Sequence, residues 1–381
     1  LKAPVERAYW YAWSDLHKDV ANQEGFHVDE RHYHFGLRTP EGREKLLFRL
    51  LEKGGVEAVR QVDAALGHKP LATPHLARGE KPVLVTGGAG FIGSHIVDAL
   101  IARGHRVRVL DRLDAQVHGD DAGRPGYLHP EAELLHGDVR DPEMVQGALQ
   151  GVDAVFYQAA AVGVGQSMYE IRRYVDYNTM GAATFLEAVV SHRRDLRKMV
   201  VASSMSIYGE GAYHCDHCGE VYPRLRPPLQ LRVKQWEMLC PECELPVAPR
   251  PTRESKPLYP TSVYAITKRD HEELFLSVGR AYGIPTVALR YFNVYGPRQA
   301  LSNPYTGVAA IFSTRLLAGR SPVIIEDGRQ TRDFVHVRDI VQANLLVLED
   351  PRADYEVFNV GTGRPISILE VAETLRRQLR P

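Results

Sequence analysis

The stretch T-G-G-A-G-F-I-G-S-H, at residues 86–95, decides the fold of this chain. The residues before it, P-V-L-V-T at 82–86, form a short apolar run that predicts a buried strand. Residues 91–103 follow with apolar side chains at helical spacing. A strand, a glycine turn and a helix in this order are typical of a dinucleotide-binding βαβ unit, although an ordinary glycine-rich loop can carry the same letters.

The glycines of this turn have separate tasks. Gly87 permits the tight turn, Gly90 lets the backbone approach a pyrophosphate, and Gly93 allows the helix to pack closely on the strand. The helix N-terminus, at Phe91 and Ile92, offers backbone N–H groups and a positive dipole end to the phosphates. We therefore expect these five residues to contact a dinucleotide.

A second strand, R-V-R-V-L at 106–110, ends in Asp111. A carboxylate at that point can accept hydrogen bonds from both adenosine ribose hydroxyls, and it would repel a 2′-phosphate. We therefore expect NAD as the cofactor rather than NADP. Arg112 is a contrary signal, because a nearby guanidinium can accommodate the 2′-phosphate.

Three polar residues downstream indicate hydride chemistry on an alcohol. A predicted strand at 198–203 delivers Ser204 at its carboxyl end, where open α/β sheets place their sites. Tyr264 and Lys268, spaced Y-x-x-x-K, share one face of a predicted helix. A lysine cation lowers the pKa of a nearby phenol, ordinarily about 10, so Tyr264 can act as a general base while Ser204 hydrogen-bonds the same oxygen. Y-x-x-x-K is common by chance, but its place after the glycine turn and the serine favours a catalytic role.

From Lys81 onward the chain resembles the extended short-chain dehydrogenase/reductase family, in particular its NAD-dependent nucleotide-sugar epimerases and dehydratases. The resemblance rests on the motifs above and on H-G-D-V at 136–139, A-A-A at 159–161, Y-N-T-M-G at 177–181, R-Y-F-N-V-Y-G-P-R at 290–298, T-R-D-F-V-H-V-R-D at 331–339 and F-N-V-G-T-G at 358–363. It implies bound NAD and a nucleotide-sugar substrate. We also expect a homodimer and a cytoplasmic location.

The resemblance implies roles for individual residues as well. The further residues that it places against the cofactor are Asp138, Val139, Ala159, Ala160, Asn178 and Lys268. Those that it places against the substrate are Ser206, Asn293, Arg298 and Arg332. Among the second group, Asn293 and Arg332 correspond to residues that hold the nucleotide diphosphate in the family.

All four cysteines occur as C-x-x-C pairs inside the segment 211–251, a stretch that is normally short in the family. The pairs are Cys215/Cys218 and Cys240/Cys243. Four thiolates at this spacing can close a tetrahedral zinc site, and the segment has too little apolar content to fold without such a staple. We expect a structural zinc ion, with His214 and His217 as spare ligand candidates. Two disulfides are the alternative.

The residues after the serine separate this chain from two branches of the family. The 4,6-dehydratases carry Asp-Glu where Met205 and Ser206 stand, and the nucleotide-sugar decarboxylases carry a glutamate at the position of Ser206. UDP-galactose 4-epimerases carry a lysine where Val162 stands. The remaining reactions are 4-epimerisation and simple oxidation or reduction. The whole set, zinc segment included, is similar to dTDP-L-rhamnose 4-epimerases.

The predicted architecture is a doubly wound parallel sheet with helices on both faces, because strand and helix patterns alternate from 82 to 292. We assign 79–292 to an NAD-binding domain, with the zinc ribbon 211–251 inserted. Residues 293–381 form a smaller substrate-binding part, which continues further in family members. Residues 1–78 form an N-terminal extension that resembles the last strand and helix of a barrel-type glycoside hydrolase, either as a fragment of a fusion or as a docked extension without activity.

Charge and hydropathy exclude two classes of partner. With 47 basic and 47 acidic residues, the chain shows no electrostatic footprint for nucleic acid, and no apolar run reaches transmembrane length. The sequence thus predicts a nucleotide-sugar 4-epimerase with bound NAD. Two alternatives stay open: a nucleotide-sugar dehydrogenase or reductase with the same residues, and a non-catalytic scaffold that uses the zinc ribbon to hold a partner.

Overall fold

The computed structural model of the protein describes residues 81–119, 123–192, 196–300 and 307–379. The expectations for the N-terminal extension 1–78 fall outside these ranges. Among the described helices, none combines the length and the apolar character that crossing a membrane requires.

Strands and helices alternate along the described chain. The strands are β1 (Val83–Thr86), β2 (Val107–Asp111), β3 (Glu133–His136), β4 (Ala154–Tyr157), β5 (Lys198–Ser204), β6 (Ala212–Cys215), β7 (Gly219–Val221), β8 (Ala248–Arg250), β9 (Thr286–Tyr291), β10 (Asn293–Tyr295), β11 (Thr331–His336), β12 (Val357–Val360) and β13 (Pro365–Ser367). The α-helices are α1 (Phe91–Ala102), α2 (Ala115–His118), α3 (Pro142–Leu149), α4 (Val164–Ser167), α5 (Ile171–Tyr174), α6 (Gly181–His192), α7 (Pro228–Arg232), α8 (Val263–Tyr282), α9 (Val308–Leu317), α10 (Val337–Glu349) and α11 (Ile368–Gln378). A π-helical turn spans Val175–Met180, and 3₁₀ turns span Met205–Tyr208 and Pro351–Ala353.

Seven parallel strands form the central sheet, in the order β12-β9-β5-β4-β1-β2-β3. Every residue of β1 and β9 is buried, as expected for parallel strands covered on both faces. The predicted α/β class with a Rossmann-like parallel sheet is therefore confirmed. The strand order reverses between β1 and β4, and such a reversal opens a crevice at the carboxyl ends of these strands.

The large sheet includes one strand from beyond residue 292, where the sequence pattern placed the end of the NAD-binding domain. Strand β12 returns to the large sheet and pairs with β9, with Phe358 opposite Leu289. Helix α10 before it buries Ile340, Ala343 and Leu345, as a core helix does. A parallel strand finds its partner in space, so the local pattern at 357–360 does not reveal that β12 joins the large sheet. A smaller sheet, β10-β11-β13, holds the other strands beyond residue 292.

The cysteine segment forms a separate antiparallel sheet in the order β7-β6-β8. Its small core consists of Cys215, Val221, Met238, Cys240 and Val247. Two of these five residues are cysteines, which agrees with a unit too poor in apolar side chains to fold by burial alone.

Candidate active site

A cavity of about 760 Å³ lies at the carboxyl ends of the central strands. It brings together most of the residues that the sequence analysis singled out. Those that line it are Gly87, Gly90, Phe91, Ile92, Gly93, Asp111, Asp138, Val139, Ala159, Ala160, Ser204, Ser206, Tyr264, Lys268, Asn293 and Arg298. Asn178 and Arg332 are not among the lining residues.

The glycine turn has the close backbone contacts that its spacing predicts. Gly87 has φ +67°, a conformation that favours glycine. A Cβ at Gly93 would lie only 2.2 Å from the Gly87 carbonyl oxygen, so the helix could not pack this closely with any side chain there. No side chain caps the first turn of α1, which begins after Gly90. Backbone donors at this helix end are thus left for an anion such as a pyrophosphate.

Asp111 is held beside the glycine turn by backbone donors. Its Oδ2 accepts a hydrogen bond from Ala89 N at 2.9 Å, and its Oδ1 accepts one from Leu113 N at 2.9 Å. A carboxylate has about four acceptor positions, so both oxygens retain capacity for ribose hydroxyls. At the next strand end, burial raises the pKa of Asp138, but hydrogen bonds from Arg140 lower it by more, and the carboxyl group stays ionised.

Asn178 lies behind the cavity wall, in the π-helical turn Val175–Met180. Its Oδ1 accepts from Ala161 N at 2.7 Å, and its Nδ2 donates to Ala161 O at 3.1 Å and to Thr267 Oγ1 at 2.9 Å. The side chain therefore clamps the backbone of the A-A-A segment onto α8. This contact with protein backbone differs from the direct cofactor contact that the resemblance implied.

The serine, tyrosine and lysine meet at one side of the cavity. Strand β5 ends at Ser204, and helix α8 begins after Ser262, whose Oγ caps it by accepting from Ala265 N at 3.1 Å. The Ser204 hydroxyl lies close enough to the Tyr264 phenol to lower the pKa of that phenol. Lys268 Nζ donates to Ala202 O at 2.6 Å. Ser204 and Lys268, which are 64 residues apart in the chain, thus come together because β5 and α8 are neighbours in the fold.

The charge states of the pair differ from the expectation. Burial raises the pKa of Tyr264 to about 12, and the hydrogen bond from Ser204 opposes this only in part. Burial lowers the pKa of Lys268 to about 7. The expected lowering of the tyrosine pKa by the lysine is therefore not found in this structure, because desolvation disfavours the charged form of each residue.

The predicted substrate residues have different surroundings. Asn293 lines the cavity, and among the described residues its buried Oδ1 has no hydrogen-bond partner. Arg298 also lines it, with its Nη2 at 2.7 Å from Asp98 Oδ2. Arg332 lies on β11 with an exposed side chain, and its Nη1 donates to Thr331 O at 2.7 Å. The structure thus does not bring Arg332 to the cavity.

His271 is a buried neighbour of the site that the sequence analysis missed. Its Nδ1 lies 3.4 Å from Lys268 Nζ, and its Nε2 lies 3.1 Å from Asn178 O. Burial and the nearby lysine hold the pKa of His271 well below its usual value, so the ring is neutral. Its spacing of three residues from Lys268 on the same helix was the available signal.

The four cysteine sulfurs form one cluster, in which all lie within 4.8 Å of one another. Cys215 Sγ and Cys243 Sγ are 3.5 Å apart, and all four thiols are free, so the disulfide alternative is not the arrangement found. Zn–S bonds of about 2.3 Å place the sulfurs of a tetrahedral site about 3.8 Å apart. The donor set and its spacing fit zinc, and neither His214 nor His217 belongs to the cluster.

Residues 83–227 and 241–361 match the model of the NAD dependent epimerase/dehydratase family. The chain belongs to this family. The unmatched residues 228–240 fall inside the cysteine segment. The protein is therefore an NAD-dependent enzyme of the nucleotide-sugar epimerase/dehydratase family, as the sequence predicted.

Three proteins illustrate the degree of similarity in sequence and in fold. The dTDP-L-rhamnose 4-epimerase of Burkholderia thailandensis is 36% identical over 297 residues, which cover 77% of this chain and 80% of that protein. The UDP-glucose 4-epimerase of Thermotoga maritima, solved with UDP-glucose, superposes with a TM-score of 0.61 at 32% identity, covering 78% of this chain and 82% of that one. The UDP-glucose 4-epimerase of Thermus thermophilus, solved with NAD, gives a TM-score of 0.60 at 32% identity, covering 78% of this chain and 83% of that one.

Proposed function

We propose that the protein is a nucleotide-sugar 4-epimerase that oxidises and re-reduces C4 of its substrate with bound NAD. The observation that carries this proposal is the meeting of Ser204, Tyr264 and Lys268 at one side of the cavity. A protein that only held a partner would not need this set. The glycine turn and the carboxylate of Asp111, which line the same cavity, fit the cofactor.

Residues of the protein transfer the proton of the C4 hydroxyl group. NAD, when bound, supplies a hydride acceptor that can return the hydride to the other face of the sugar carbon. Tyr264 takes the proton of the C4 hydroxyl and later gives it back, and Ser204 hydrogen-bonds the same oxygen. A protonated Lys268 favours the phenolate form of Tyr264. The 4-keto sugar must turn in the cavity between the two steps, so that the opposite face meets the hydride.

The cavity lining favours epimerisation over water elimination. Met205 and Ser206, which follow the serine, both line the cavity and carry no carboxylate. The carboxylates that do line it are Asp111, Asp114 and Asp138, which lie at and beyond the carboxyl ends of β2 and β3. A dehydratase needs an acid and a base beside the reacting sugar, and the described lining offers neither next to the serine.

For the sugar, we propose dTDP-L-rhamnose. The support is the similarity to the Burkholderia thailandensis enzyme together with Val162, which lines the cavity where UDP-galactose 4-epimerases carry a lysine. A nucleotide-sugar dehydrogenase or reductase is the second candidate, since it would use the same serine, tyrosine and lysine.

We further propose a structural zinc ion in the cysteine cluster and a homodimer. Four thiolates leave no open coordination position, so the ion would hold the fold of the ribbon rather than act on substrate. A dimer is supported by large apolar side chains exposed in and beside α4, α5 and α8, namely Met168, Tyr169, Ile171 and Ile266. We also assign residues 293–336 and 365–379 to the substrate-binding part, and 337–360 to the NAD-binding part.

Isotope labelling tests the reaction. An epimerase returns the hydride that it takes, so dTDP-L-rhamnose deuterated at C4 should give a product that keeps its deuterium at C4, with no net NADH absorbance. A dehydrogenase would accumulate reduced cofactor and a keto-sugar. A dehydratase expels a C6 hydroxyl, which L-rhamnose lacks, so it would leave this substrate unchanged and would instead move a C4 deuterium of dTDP-glucose to C6. A scaffold would turn over no nucleotide-sugar. Loss of the C4 label to water during epimerisation would rule out the hydride mechanism and the role given to Tyr264.

A further inference from the structure

The cysteine segment begins shortly after the strand that carries the catalytic serine, and the chain that leaves the segment contacts the turn that follows this serine. The chain leaves the 3₁₀ turn Met205–Tyr208, which follows Ser204, and enters the ribbon at β6. It returns through Thr252, whose Oγ1 accepts a hydrogen bond from Ala212 N at 3.0 Å, and runs on to Lys256. The ribbon is therefore attached directly beside the catalytic turn.

Ser204 begins this 3₁₀ turn and caps it. Its Oγ accepts a hydrogen bond from Ser206 N at 3.2 Å, and Gly209 N donates to Ser206 O at 3.2 Å. At the far end of the turn, the Tyr208 carbonyl oxygen accepts a hydrogen bond from Lys256 Nζ at 3.0 Å. A single short turn thus has the catalytic hydroxyl at one end and a lysine ammonium at the other.

Lys256 is buried without a carboxylate partner. Only 2% of the residue is exposed, and within the described ranges no acidic side chain lies at ion-pair distance from its Nζ. The ammonium donates to Pro257 O at 3.1 Å and lies 4.8, 5.3 and 5.9 Å from the ring centroids of Tyr259, Tyr222 and Tyr208. Burying an ammonium is costly, and these carbonyls and ring faces, together with the charge of Glu210, offset that cost.

One of the three rings belongs to the ribbon. Tyr222 directly follows β7, which pairs with β6, and the last residue of each strand, Val221 and Cys215, lies in the ribbon core. The cysteine cluster therefore fixes the strand pair from which the Tyr222 ring reaches Lys256. Tyr208 is held independently by Arg290, whose Nη1 donates to its hydroxyl at 2.6 Å.

We propose that Lys256 is a positioning residue for Ser204, and that the ribbon acts on the active site through it. The Tyr222 ring of the ribbon helps to hold the Lys256 ammonium, and the ammonium holds the turn that Ser204 begins. The inserted ribbon thereby sets the geometry of the catalytic hydroxyl without touching the substrate. This inference rests on the role proposed above for Ser204.

The first test is Lys256→Met, which removes the ammonium and keeps the apolar stem. The kcat for the nucleotide-sugar should fall about tenfold or more, because a small displacement of a catalytic group is enough for such a loss. The KM and the zinc content should stay within about twofold of wild type, since neither the substrate surface nor the cluster changes. Lys234→Met, which removes an exposed ammonium from the cysteine segment, is the matched control and should keep wild-type kcat. A wild-type kcat in Lys256→Met would overturn the proposal.

A second pair of variants applies even if Lys256→Met does not fold. Tyr222→Leu removes the ring face and should lower kcat, whereas Tyr222→Phe keeps the ring and should lower it clearly less. In the Lys256→Met background, where that protein folds, Tyr222→Leu should have little further effect. Equal losses in Tyr222→Leu and Tyr222→Phe, or no loss in Tyr222→Leu, would contradict the proposal.

Hydrogen exchange separates this inference from the proposed function. In the enzyme loaded with NAD, peptides covering 203–211 should exchange about tenfold faster in Lys256→Met, because the amides of Ser206 and Gly209 lie in the turn that the lysine holds. Unchanged exchange there would refute the positioning role even if kcat fell. If wild-type protein turned over no nucleotide-sugar, the proposed function would fail, while the exchange result would still decide whether Lys256 holds the turn.

Discussion

Replacing Gly93 with alanine puts a side chain where the fold has no room for one. The new Cβ would lie 2.2 Å from the Gly87 carbonyl oxygen and 2.8 Å from Gly88 Cα. Both neighbours are backbone atoms, so no side chain can rotate away. Ordinary contact begins near 3.4 Å, so the turn and the helix must separate by about 1 Å. The Gly87 oxygen also accepts a hydrogen bond from Gly90 N at 3.1 Å, which this shift would strain.

Two opposing effects set the magnitude. Overpacking of this kind costs about 1–3 kcal/mol, and the better helix propensity of alanine returns at most about 1 kcal/mol. These bounds leave a net loss of about 0–3 kcal/mol, and we expect Gly93→Ala to lower the free energy of unfolding by about 1–2 kcal/mol, near the middle of that range. Because the displaced turn is the predicted phosphate site, NAD affinity should also fall by about tenfold or more, equivalent to about 1.4 kcal/mol. The matched control is Gly147→Ala in α3, which is exposed and whose Cβ would meet no atom within 4 Å.

Urea unfolding and calorimetric titration with NAD measure both effects. Gly147→Ala should be as stable as wild type or more stable by up to about 1 kcal/mol, with unchanged NAD affinity. Gly93→Ala should be less stable than wild type and should bind NAD more weakly. If Gly93→Ala were as stable as Gly147→Ala and bound NAD as wild type does, the reasoning from backbone contact would be refuted.

The remaining predictions concern the tyrosine, the ribose-binding carboxylate, the metal and the lysine. Tyr264→Phe should lower turnover by about 10²–10⁴-fold while NAD still binds, and steady-state rates close to wild type would contradict the general-base role. Asp111→Ala should weaken NAD binding and reduce the preference for NAD over NADP, which is the ratio of the two dissociation constants measured by titration with each cofactor. An unchanged ratio would mean that the carboxylate does not face the ribose. Metal analysis should find about one zinc ion per chain. Cys218→Ser should lower both the zinc content and the resistance of residues 211–251 to protease, because the metal stabilises this segment. Metal-free protein with two disulfides would exclude the zinc site. Burial lowers the pKa of Lys268 from its ordinary 10.5 to about 7. At pH values between these two, Lys268 is protonated in the unfolded chain but mostly unprotonated in the native state. The free energy of unfolding of the cofactor-free wild type, minus that of Lys268→Met, should therefore rise by up to about 1.4 kcal/mol per pH unit between roughly pH 7.5 and 9.5. A difference that does not change with pH would exclude the lowered pKa of Lys268.

Local sequence predicted those parts of the molecule that local physics determines. The strand, turn and helix around Gly87–Gly93 depend on apolar periodicity and on glycine positions, which are visible in the letters alone. The same holds for Ser204 at the end of β5 and for Tyr264 and Lys268 on one face of α8. Because parallel strands present their carboxyl ends at one edge of the sheet, these local predictions were enough to bring the residues together.

The features that the sequence did not reveal depend on contacts between distant segments. Nothing in the run 357–360 shows that it completes the large sheet beside β9, because any short apolar strand would look the same. Arg332 was assigned by family position, yet its side chain is exposed on β11 and does not line the cavity. Lys256 carries no motif at all, and its three tyrosine rings come from segments that only the fold brings together.

Burial of the tyrosine and lysine changes what the Y-x-x-x-K spacing means. With pKa values of about 12 for Tyr264 and about 7 for Lys268, the free cavity keeps the phenol neutral and the lysine only partly charged at pH 7. Spacing alone therefore does not create a base. Any positive charge or hydrogen-bond donor that enters the cavity stabilises the phenolate, and in a low-dielectric site this effect is strong. The base should accordingly become active only when the cavity is filled, which also shields the 4-keto sugar from water while it turns.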